Sequence, residues 1–146
     1  MAITTNAICN SFKKELLEGK HDFAQTSGDQ FKLALYTSSA TLGKSTTSFT
    51  TDNQVNNTGK YTSGGGKLAK STQNTSVASD VAIVDFGNLS FTGVTLVAKG
   101  ALIYNTSNSN SAVCVLDFGG DKTATAGTFT IQFPAFTTSA AILRIS

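Results

Sequence analysis

The chain has 146 residues, of which 40% are hydrophobic and only 14% charged, with a formal net charge of +2 and a pI near 8.6. A domain of this length buries enough surface to fold without a metal or disulfide, and so weak a charge balance removes the electrostatic case for nucleic acid or an anionic membrane as partner. Its 38 Ser and Thr, with 13 Gly and a single Pro, have the composition of strands and turns and exclude a coiled coil, a collagen and a charged disordered tail.

Residues 7–18 predict the one amphipathic helix. Ile8, Phe12 and Leu16 recur at i, i+4 and i+8, with Cys9 on the same stripe. Thr5 or Asn6 is placed to cap it, and Gly19 to end it in the left-handed C′ position. No basic stretch precedes an apolar run here, and no run in the chain reaches the roughly 18 apolar residues of a membrane span. The expectation is synthesis in the cytoplasm and no membrane partner.

Phe31 to Thr37 alternates cleanly, Phe31, Leu33 and Leu35 facing one way. Residues 37–70 then carry few large apolar side chains: Leu42, Phe49, Val55, Tyr61 and Leu68 among Thr, Ser, Asn and Gly. That is far longer than an ordinary connection, and implies either a functional arm or a set of short polar strands. We read residues 43–80 as a polar loop or arm, with Gly64-Gly65-Gly66 as a flexible turn inside it.

From residue 81 the pattern is strand-rich. Val81 to Phe86 is one apolar run; Val94 to Ala98 and Ala101 to Tyr104 flank Lys99-Gly100, where glycine predicts a bulge or bend. Ala112 to Phe118 is apolar on both faces and predicts a central strand, turned by Gly119-Gly120-Asp121. Phe129, Ile131 and Phe133 alternate with polar residues until Pro134, and Ala141 to Ile145 is a last short strand. The whole predicts one mainly β domain spanning residues 1–146. Its form is an antiparallel sandwich or barrel, jelly-roll-like, with one N-terminal helix outside.

Residue chemistry mostly removes possibilities. His21 is the only histidine and reads as a helix-exit residue beside Asp22. Cys9 and Cys114 lie among apolar neighbours; their positions suit two buried thiols and leave a bridge between them open. No G-x-S-x-G elbow supports a hydrolase triad. Asp80, Asp85, Asp117 and Asp121 recur near strand ends, and a glycosidase-type carboxylate pair is weighed against two neighbouring strands that leave a sheet alike. Gly64 to Lys67 fails as a phosphate loop, because Tyr61 and Leu68 stand where glycine and a hydroxyl are needed. Tyr36, Tyr61 and Tyr104 are scattered and there is no Trp, which weakens both single-strand and sugar stacking. We therefore expect no enzyme, cofactor, metal or nucleic acid.

Four stretches carry a resemblance: Ala7-ICNSFKKELLEGKHDF, Phe31-KLALYTSSATL, Lys99-GALIYN, and Ala112-VCVLDFGGDKTATAGTFTIQFP. In order and spacing the chain resembles a family of small virion proteins of tailed bacteriophages, common among phages of cyanobacteria and other aquatic bacteria. LDFGGDKTATAGTFTIQFP is the most specific part, and residues 43–80 carry little of it. The resemblance implies a capsid cement or decoration protein on the outer capsid surface, bound to the major capsid protein and to itself, as a homotrimer. The alternative it leaves is a tail or fibre module binding a receptor or glycan. On the capsid reading residues 43–80 would reach a neighbour, with Phe49, Val55, Tyr61 and Leu68 as the contact residues.

Overall fold

The computed structural model describes residues 3–146. It is mainly β, with antiparallel sheets and one short N-terminal helix. Among the described residues, eight strands and one α-helix follow in order: β1 (Ala7–Ile8), α1 (Asn10–Leu17), β2 (Phe31–Tyr36), β3 (Gly66–Lys67), β4 (Asn74–Ala78), β5 (Val81–Asp85), β6 (Leu89–Asn105), β7 (Ser111–Ile131) and β8 (Leu143–Ile145), with a 3-10 turn at Lys70–Thr72 before β4. One sheet runs β1-β7-β6-β2-β3 and a second runs β4-β5-β8. A contiguous buried cluster extends from Ile3 to Leu143.

The helix begins later than its apolar stripe suggested. Ala7 and Ile8 pair with Val115 and Cys114 instead, and the Cys9 N–H donates to the Val113 carbonyl. The open edge of β7 thus takes residues whose spacing alone reads as helical. Cys9, not Thr5 or Asn6, occupies the N-cap, without a side-chain capping bond. Asn6 instead accepts from the Asp117 N–H at 2.7 Å. The other end is as expected: Gly19 has φ +72, and the Gly19 and Lys20 N–H groups donate to Leu16 and Glu15, a Schellman closure. Phe12 is buried, and Ile8 and Leu16 pack against the core.

The two runs flanking Lys99-Gly100 are one strand, β6, and the run through Gly119-Gly120-Asp121 is one strand, β7. Glycine bends these strands without reversing the chain. Register shifts occur between Ala98 and Gly100, and Gly119 has φ +82. At this bend Lys99 Nζ meets Asp117 Oδ1 at 2.5 Å, and the Gly119 N–H donates to the same carboxylate. The consequence is large. Phe118 and Phe129 lie eleven residues apart on β7, roughly 36 Å along a straight strand, yet their rings are 6.1 Å apart. The β6–β7 ribbon therefore folds back over itself.

Residues 37–70 close onto this framework. The Val55 N–H donates to Leu35, Phe49 to Asn110, and the Ala112 N–H to Thr47. They cover the outer edge of β2 and the closed end of the β6–β7 hairpin, which leaves those edges unavailable to other chains.

Candidate functional site: an apolar groove and an exposed hairpin

The four proposed contact residues point inward. Val55, Tyr61 and Leu68 are buried, and Phe49 stacks on Tyr104 with ring centroids 4.6 Å apart. The Tyr61 hydroxyl accepts from the Leu35 N–H at 2.8 Å, and the Leu68 N–H donates to Phe31. The expectation that these side chains reach a neighbouring subunit is corrected: they fill this chain's own core. Wide spacing among polar residues hid them, because irregular segments bury side chains with no period to read.

The glycine run is not a flexible turn. Gly64 accepts from the Tyr104 hydroxyl and donates to Gln54 Oε1, both at 2.6 Å. Gly65 has φ +77, and Gly66 pairs with Leu33. The segment is clamped against β2.

His21 is buried at the helix exit. Its Nε2 lies 2.7 Å from Glu15 Oε2, and its Nδ1 lies 3.0 Å from Asn105 Nδ2. The same Asn105 nitrogen reaches Asp29 Oδ2 at 2.7 Å. The amide donates twice, so Nδ1 accepts and Nε2–H donates to Glu15. This chain of satisfied groups ties the helix exit to the end of β6.

Tyr36, Tyr61 and Tyr104 are all buried, and burial pushes the hydroxyls of Tyr61 and Tyr104 up to about 12. They offer no stacking platform at the surface. Cys9 and Cys114 are free and buried, and burial raises the Cys9 thiol to about 11, which keeps it protonated and unreactive. Asp85 and Asp117 lie on different sheets, not on neighbouring strands. Burial holds Asp85 above the usual carboxylate range, whereas the Lys99 ammonium holds Asp117 below it. Among the described residues, no group of three His, Cys, Asp or Glu is arranged to hold a metal, and no helix is long and apolar enough to cross a membrane.

Two surface features stand out among the described residues, neither legible in the sequence. The first is a groove of about 740 Å³ between the folded halves of β7 and the C-terminal segment. Phe118, Phe129, Ile131, Phe133 and Ile142 form its apolar lining, with Lys122 and Arg144 as its charged members. Among the described residues no carboxylate lines it. Its size lies within the usual range for binding clefts.

The second is the β4–β5 hairpin. Every residue of β4 is exposed, and β4 is an outer strand whose only partner among the described residues is β5. Val77, Ala82 and Ile145 stand opposite one another across the three strands; Val77 is 71% and Ile145 58% exposed. This apolar row lies open to solvent. Natural edge strands are blunted by charge, proline or a bulge. β4, Asn-Thr-Ser-Val-Ala, has neither charge nor proline, and its register with β5 is continuous.

No family model, curated protein or solved structure matches this chain.

Proposed function

We propose that this chain is a bacteriophage virion structural protein that works by adhesion: a capsid cement or decoration protein held on the outer surface of the major capsid protein shell. The observation that carries this reading is β4, a fully exposed strand with an open edge beside an apolar row. Open strand edges bind by main-chain hydrogen bonds, with side-chain contacts alongside. A surface with little charge loses little on desolvation when it is covered. Many weak contacts of this kind, repeated around a shell, add to a strong one. The sequence resemblance supports the same assignment and supplies the particle. The tail or fibre reading takes Tyr36, Tyr61 or Tyr104 as its platform for sugar, and all three are buried.

Purified protein added to shells that lack it should cosediment saturably, on the order of hundreds of copies per particle, as symmetric assembly requires, and should raise the temperature at which the shell opens. Binding confined to about a dozen copies would move the chain to the tail. No binding to shells or tails would end the adhesion reading.

A further inference from the structure

We infer that the β4–β5 hairpin of one copy inserts its tip into the apolar groove of a second copy, head to tail. The hairpin ends in a two-residue turn, Ser79-Asp80, with φ +49 and +64. This is the turn whose twist suits a hairpin and which normally takes Asn-Gly. Behind the tip stand Val77 and Val81. Asp80 is the only charged residue the hairpin exposes, since Asp85 is buried. The groove is the complement: an apolar lining, Lys122 and Arg144, and among the described residues no acid. Arg144 spends one nitrogen on the Ser139 carbonyl, and its remaining donors can meet a carboxylate.

Strand register makes the contact intermolecular. β5 and β8 are antiparallel, with Ala82 opposite Ile145 and Val84 opposite Leu143. The tip at residues 79–80 therefore lies beyond the Ile145 end of β8. Ala140, Ala141 and Ile142, which line the groove, lie beyond the Leu143 end. Along β8 the tip lies off one end and these three wall residues off the other, with Arg144, opposite Ile83, between them; the tip points away from that wall, which leaves it free to meet the groove of a second molecule. Such a heterologous contact builds a ring when its rotation closes. It covers Val77, and it supplies the anion the groove lacks. The inference concerns self-association and stands independently of the capsid assignment.

Sedimentation velocity from about 1 to about 500 µM tests it. The wild type should associate into a discrete species, less so as salt rises and screens the charge pair. Asp80→Lys and Lys122→Glu should each weaken association about tenfold or more, and the double reversal should restore it. Asp80→Asn, which tolerates the turn conformation, should fall between, and Lys60→Glu on an exposed loop should change nothing. Rescue by the double variant cannot come from a folding defect. A wild type monomeric throughout, or single reversals that leave association intact, would overturn the inference. So would saturable binding of laurate in the groove of a protein that stays monomeric, which would make it a small-molecule site. If Asp80→Lys is monomeric yet still loads shells, the capsid reading survives on its own.

Discussion

Gly65→Ala is expected to abolish soluble folded protein. A Cβ built on Gly65 would lie 1.8 Å from the Leu33 carbonyl oxygen and 2.7 Å from the Ala34 Cα, both main chain of β2. Neither can move without breaking the pairing of Leu33 with Gly66 on one side and with Ile103 on the other. The residue also sits at φ +77, which costs an L-residue roughly 1–2 kcal/mol before any clash. Together these place the substitution in the exceptional class above about 4–5 kcal/mol, against a total stability of about 5–15 kcal/mol for a domain. Two neighbours serve as controls. Gly64→Ala shares the positive φ but meets only the ends of the Lys32 and Tyr104 side chains, so it should fold with a lowered melting temperature. Gly43→Ala meets nothing within 4 Å and should melt like the wild type. Soluble yield and thermal melts by circular dichroism read all three. A Gly65→Ala protein melting within a few degrees of wild type would contradict the clamped geometry.

Tyr61 should behave as a core residue and not as a contact residue. It is fully buried, packs edge-on against Phe91 at 4.9 Å, and its hydroxyl serves Leu35 and Gln54. Tyr61→Ala should cost about 3–5 kcal/mol, the range for truncating a large buried aromatic. Tyr61→Phe keeps the ring and strands the Leu35 N–H, for about 1–3 kcal/mol. The two effects should appear in the urea midpoint of the isolated chain, with no partner present. If Tyr61→Ala unfolds at the wild-type midpoint but binds shells poorly, residues 43–70 are an arm after all.

These outcomes turn on the segment that was hardest to read. Where side chains follow a period, the strand and helix ends were transparent: Phe31, Leu33 and Leu35 mark β2, though Ala34 and Tyr36 on its other face are buried as well, Phe129 and Ile131 alternate with exposed residues, and Gly19 marks the helix end. The bend at Lys99-Gly100 was legible because glycine inside an apolar run has few other meanings. Residues 37–70 follow no period. Their apolar side chains enter the core one at a time, from loops whose polar atoms bond to strand edges. Tertiary context alone decides such burial. β1 was misread as helix for the same reason: Ile8 fits a helical stripe, yet the open edge of β7 was the better partner. The exposed surfaces were also hidden. The groove exists only because β7 folds over, and nothing local announces that Phe118 will meet Phe129. The β4 strand reads as polar loop, since Asn, Thr and Ser dominate it and its one Val looks unremarkable until it is found uncovered.

Amide hydrogen exchange, followed by peptide as the protein is concentrated, reaches the central claim in one experiment, because protection separates core from open edge. The Val55 and Leu68 amides, bonded to Leu35 and Phe31, should exchange as slowly as β2 at every concentration. Peptides covering Asn74 to Asp80 should exchange rapidly in dilute protein and slow as molecules associate. Fast exchange at Val55 and Leu68, or a hairpin whose exchange never changes with concentration, would contradict a buried 43–70 segment and an adhesive 74–85 hairpin.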